Sequence, residues 1–238
     1  MKKKGNEIFL ECERHWVFYA LIFVGGFYGG YTLSARGGVF CNAQTANVVL
    51  FSMYLGQGNF EKAVYFLIPM SAYLLGTILS EILAKRVKHS HIIRWDTMLV
   101  GIEVLGCIFL GALPKSAPDQ ICQVTLNFIC AMQFNTFRQN EGIPMATTFV
   151  TNHIRQTGSN LVKAIRDHDE IASRKWKSHA LMIGFFALGA CLAAFISRFI
   201  DVRTIIALAP VNLVIFIKLA YADITSEHKY IEMTPHGH

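Results

Sequence analysis

The stretch GGVFCNAQTANVVLFSMYLG, residues 37–56, decides how this chain is read. It lies between two strongly apolar segments and is nearly a third. Its start, however, carries Asn42, Gln44, Thr45 and Asn47, just after Gly37 and Gly38. Polar groups placed in hydrocarbon need partners, so a plain membrane-crossing helix has no use for this cluster. The pattern fits a segment that enters the membrane, turns, and starts a short helix there.

The surroundings support a membrane setting. Of 238 residues, 53% are hydrophobic and 16% charged, with a mean hydropathy of +0.38. Soluble domains carry about 25% charged residues. His15–Leu33 and Leu181–Ser197 contain no Asp, Glu, Lys or Arg, and Lys62 is followed by an uncharged run to Ser80. A span needs roughly 20 mostly apolar residues. Good candidates lie at 16–33, 63–84, 97–113, 121–137, 179–200 and 204–222. Two weaker segments are 40–56 and 146–162, the second interrupted by His153, Arg155, Gln156 and Asn160.

Lysine and arginine choose between eight spans and six, since the cytoplasmic side should hold most of them. With eight crossings the 22 basic residues divide 14 to 8. If 40–56 and 146–162 dip in and return, they divide 17 to 5, the five being Arg36, Lys62, Lys115, Arg198 and Arg203. The reading is therefore an all-α integral membrane protein with six transmembrane and two re-entrant helices. Residues 1–15 and 223–238 are cytoplasmic tails. The basic start MKKK is followed by acids and no small-residue cleavage site, so it reads as a retained tail. The expected location is a plasma membrane, with multiple passes.

The chain also repeats. TANVV at 45–49 aligns with TNHIR at 151–155, an offset of 106 residues, and Leu75–Gly76 aligns with Leu188–Gly189. Glu103 falls opposite Asn212. The halves, 16–113 and 114–222, each hold three spans and one dip, which inverts the second relative to the first, a plan common in transporters.

Thr45–Ala46–Asn47 after GGVF, and Thr147–Thr148–Phe149–Val150–Thr151, together with the glycine- and aromatic-rich first span, resemble the YoaK-like family of bacterial membrane proteins. That family is built on a domain of unknown function. Ala46 and Asn152 stand where its pattern has Gly. The resemblance covers about 16–222 and implies a six-helix architecture without a substrate.

Two readings of the polar residues follow. Asn42, Thr45, Thr147, Thr148 and Thr151 suit capping of helix starts. Beyond that, two helix starts meeting near the midplane offer free amides and positive dipole ends to a small polar or anionic solute. Asn42, Thr45, Asn47, Thr148, Thr151, Asn152 and His153 would line that site. Glu103 must face protein or water. It is expected to pair with Arg36, Arg138 or His153, or to carry a proton, with Asn212 at the equivalent place on the pathway. Glu81 is expected to pair with Lys85. Gly25, Gly26, Gly29 and Gly30 form a close-packing face, within the fold or in a homodimer. Trp16, Trp95 and Trp176 read as interface anchors. The six cysteines read as core thiols, and neither the His89/His91 pair nor the tail histidines make a metal site without a third ligand. No cofactor and no nucleic-acid partner is expected, because orientation in a bilayer explains the net charge of +6. The leading function is a transporter or channel. The alternatives are an intramembrane enzyme using His153, Glu103 or Cys41, and a non-transporting scaffold.

Overall fold

A computed structural model describes residues 3–4, 7–87 and 92–237. The His89–His91 motif and His238 lie outside them. The helices are α1 His15–Ala35, α2 Gln44–Gly56, α3 Phe60–Val87, α4 Trp95–Ala112, α5 Asp119–Thr136, α6 Thr151–Arg166, α7 Glu170–Ile200 and α8 Ala209–Ile224. A 3-10 segment, Asp201–Leu208, joins α7 to α8. There are also two small antiparallel pairs, β1 Lys3–Lys4 with β2 Glu7–Ile8, and β3 Gln139–Asn140 with β4 Ile143–Pro144. Asp169 starts α7 by accepting bonds from the Ile171 and Ala172 amides at 2.8 and 3.0 Å.

Among the described residues, four helical stretches are long and apolar enough to cross a membrane: α1, α3, α4, and Glu170–Ile224, which holds α7, the 3-10 segment and α8. They mark a membrane protein. The expected span at 121–137 does form α5, but α5 is not among the four. Gln123, Asn127 and Gln133 interrupt it, and all three are buried.

Two helix pairs dominate the packing, α1 with α7 and α3 with α5. Both depend on missing side chains. A Cβ on Gly26 would lie 2.1 Å from the Phe186 carbonyl oxygen, and one on Gly189 would lie 2.1 Å from that of Phe23. A Cβ on Gly76 of α3 would lie 2.5 Å from the Phe128 oxygen of α5. The glycine face of α1 is therefore used inside the chain, against α7. α2 lies on α3, α6 on α7, and α4 against α8.

The two ends of the bundle differ. At one end both terminal segments meet. Arg94 Nη1 binds Asp223 at 2.5 Å and Glu227 at 2.8 Å, all three buried. Glu13 accepts from the His236 amide at 2.8 Å, and Arg14 pairs with Glu141 beside β3–β4. Arg94 stays firmly charged: burial lowers its pKa, but Asp96, Asp223 and Glu227 raise it above the ordinary value. Burial pushes the Glu227 carboxyl up, against the pull of Arg94. At the far end, Arg36 pairs with Asp119, Lys115 with Asp201, and the Tyr31 hydroxyl donates to the Val202 carbonyl. Between the ends the surface is apolar, with Leu74 of α3, Leu188 of α7 and Ile217 of α8 exposed. Trp95 is buried and donates to Thr136 at 2.8 Å, so it is a core residue and not a surface anchor.

Candidate functional site

Residues 37–56 leave the far end of α1 and turn back along it. Gly37 and Gly38 take φ of +71° and +75°, which L side chains resist. The Gly38 amide donates to the Thr32 carbonyl at 3.1 Å. The chain then reaches the middle of α1, where Asn42 Nδ2 donates to the Gly25 carbonyl at 2.9 Å. α2 starts there and leads to α3 through Gly58, at φ +71°. The N-cap of α2 is Ala43, with no side-chain cap bond. Asn42 is occupied with α1, and Thr45 is exposed. Gln44 donates to Asn127 of α5 at 2.7 Å.

The second polar opening approaches from the other end. After β3–β4 the chain runs inward to Thr147, whose carbonyl accepts from Gln133 Nε2 at 3.3 Å. The same nitrogen donates to Leu21 O at 3.1 Å. A Cβ on Gly25 would lie 2.6 Å from that Thr147 oxygen. Gly25 is thus the residue of α1 that both openings reach. α6 begins after Val150, again without a side-chain cap bond. Thr147 and Thr148 are buried, and Thr148 faces the Tyr73 hydroxyl. Thr151 is exposed, and Asn152 accepts from Arg155 at 2.8 Å. The expected capping by threonine and asparagine is therefore absent at both starts.

Asn47 and His153 are expected from the sequence to line the solute site. Both are committed to backbone. Asn47 Nδ2 donates to Phe40 O at 2.6 Å, and its Oδ1 accepts from the Phe40 amide at 3.3 Å. His153 Nε2 lies 2.8 Å from Ala146 O, and its Nδ1 lies 2.8 Å from His179 Nδ1. A carbonyl only accepts, so His153 carries its proton on Nε2, and His179 donates from Nδ1. Each side chain therefore holds the carbonyl seven residues before it. Phe40 and Ala146 are themselves 106 residues apart, the offset at which TANVV and TNHIR align.

The charged candidates are dispersed. Arg36 is buried at the far end, bonded to the Tyr31 hydroxyl at 3.1 Å and to Asp119. Arg138 sits at the terminal end with Asn135 and with Glu81 at 3.3 Å. Glu81 is thus tied to Arg138 across α3 and the end of α5. Glu103 pairs with none of Arg36, Arg138 and His153. Both its carboxylate oxygens are buried and receive no hydrogen bond from the described residues. Asn212 is near it through Tyr28 and Cys107.

Clefts open toward the terminal end. One, about 340 Å³, lies between Trp95, Thr136, Lys85 and the C-terminal segment at Met233. Another, about 330 Å³, is lined by Arg138, Ala146, Phe149 and Asn152, and so borders the start of α6. The sequence reading missed the Arg94–Asp223–Glu227 cluster, although Asp223 and Glu227 are one turn apart. It also missed His179, whose only signal was a lone histidine at the head of an apolar run.

No curated protein and no solved structure matches the chain. A family profile matches residues 17–218, most of the length, and agrees with the YoaK-like resemblance. The chain belongs to that family, DUF1275, described as proteins of unknown function.

Proposed function

We propose that the protein is a small carrier or channel for a polar or anionic solute, and that the solute passes where the openings of α2 and α6 meet. In this reading the fold is an inverted repeat of six spans and two re-entrant helices, with both termini in the bacterial cytoplasm. The observation that carries it is the convergence on Gly25. Asn42 reaches it by a hydrogen bond from one end, and the Thr147 carbonyl abuts it from the other. Irregular backbone at membrane depth is tolerated where it is buried or lines a wet path. The matching clamps, Asn47 on Phe40 and His153 on Ala146, support the repeat. So do the exchanged contacts of α1 with α7 and α5 with α3. The 17-to-5 division of basic residues supports the orientation. Because Asn47 and His153 are engaged, and Asn152 already accepts from Arg155, the groups left to meet solute are Thr45, Thr148, Thr151 and the free amides of the two first turns.

Flux in proteoliposomes, with a panel of small anions and neutral polar solutes, tests the reading. Wild-type protein should pass at least one solute. Gly25→Val should stop it, because a side chain there drives the two openings apart. Wild-type vesicles no leakier than empty ones, or full flux through folded Gly25→Val, would defeat the proposal.

A further inference from the structure

Glu103 on α4 and Asn212 on α8 are fully buried where those helices pack together. Their acceptors are in excess. Neither Glu103 Oε1 nor Oε2, nor Asn212 Oδ1, receives a hydrogen bond from the described protein. The donors nearby are already directed elsewhere. Asn212 Nδ2 donates to the Tyr28 hydroxyl at 3.1 Å and toward Cys107 Sγ at 3.7 Å. Tyr28 and Cys107 lie 3.5 Å apart, and Cys107 follows Glu103 by one turn of α4. The titratable groups facing the carboxyl are Tyr28 from α1, Cys107 from α4 itself and Cys130 from α5. α8 supplies the Asn212 amide. Arginine and histidine, the counter-ions expected from the sequence, are bonded to other partners.

Three unfilled oxygen acceptors and one acid in a buried core attract positive charge and repel an anion. A single carboxylate balances one unit of charge, and a divalent ion would leave an excess that hydrocarbon penalises. We propose that Glu103 and Asn212, with the Tyr28 hydroxyl, form a buried site for one monovalent cation, a sodium ion or a proton. This extends the carrier reading and rests on it only in giving that cation the role of coupling ion. When a proton is bound, one Glu103 oxygen holds it as a carboxylic acid, and on release the proton passes to water, leaving the carboxylate.

The test needs neither solute nor flux, so its failure is separate from failure of the carrier. Full-length protein in detergent is melted at fixed pH in sodium chloride and in choline chloride of equal ionic strength. Infrared difference spectra then follow the carboxylic C=O stretch as pH is raised. For sodium, the salt should raise the melting temperature of wild type but not of Glu103→Gln. For a proton, sodium should do nothing, and wild type should lose a carboxylic band that Glu103→Gln never shows. Asn212→Ala keeps the acid and covers the case in which Glu103→Gln does not fold. It should weaken apparent sodium affinity by about tenfold, or move the infrared midpoint by about one pH unit, the same free energy. The site is refuted if wild type shows neither response, if Glu103→Gln responds to sodium like wild type, or if Asn212→Ala changes neither measurement.

Discussion

Asn47 illustrates how a residue can be located from sequence and still be given the wrong task. The alignment of TANVV with TNHIR pairs it with His153, and each side chain reaches the carbonyl seven residues before it. Yet sequence shows only that a polar side chain is present, not whether it faces a ligand or its own backbone. Here the backbone takes it, since a loop turning inside the bundle leaves the Phe40 and Ala146 groups with no helical partner. Asn47→Ala should therefore lower stability by about 1–3 kcal/mol, the range for stranding a buried polar group. His153→Ala should do likewise. Denaturation of each variant, with and without a transported solute, checks this. A normal melting temperature with weakened solute binding would restore both residues to the solute site. Capping was misjudged for a related reason. Asn42 has the right chemistry for a cap, but its amide is drawn to the Gly25 carbonyl, and Ala43 occupies the capping position.

At the level of elements, the long apolar runs were fully legible, because hydrophobic length alone specifies α1, α3 and α4. α5 was legible as a helix but not as an interior one. Its Gln123 donates to the Arg36 carbonyl at 2.9 Å and its Gln133 to Leu21, long-range bonds that no local pattern announces. The glycines of α1 were read as a packing face, and their partner proves to be α7. Gly26→Leu should force α1 from α7, since even a Cβ would meet the Phe186 oxygen at 2.1 Å. Folded yield should collapse, as read by size-exclusion chromatography. Gly184→Ala is the matched control on α7, where nothing lies within 4 Å of an added Cβ. It should be neutral or stabilise by up to about 1 kcal/mol through helix propensity. Equal yields of Gly26→Leu and wild type would show that this helix contact is dispensable.

At the scale of the molecule, the terminal end is tied by charge and the far end by fewer ion pairs. Arg94→Met would leave Asp223 and Glu227 buried without their cation, at a cost of about 3–5 kcal/mol; a melting temperature equal to wild type would show the cluster to be unimportant. The same cluster gathers the start of α4 and the end of α8 at one end with the N-terminal segment. α4 then leads away to the Lys115–Asp201 pair at the other end. Six spans with two re-entrant helices require the α3–α4 connection and the α6–α7 connection to share the cytoplasmic side with both termini. Eight spans put those two connections on opposite sides of the membrane from each other. Single cysteines separate the cases in a background where Cys191, the exposed native thiol, is serine. Ile92→Cys and Glu170→Cys, both at exposed positions, should react with an impermeant maleimide only after the cytoplasmic side is opened. Ser116→Cys, exposed beyond the end of α4, should react in intact cells. If Ile92→Cys instead labels in intact cells while Glu170→Cys does not, residues 40–56 cross the membrane outright. The halves would then run parallel, and Gly25 would no longer be a meeting point of two re-entrant openings.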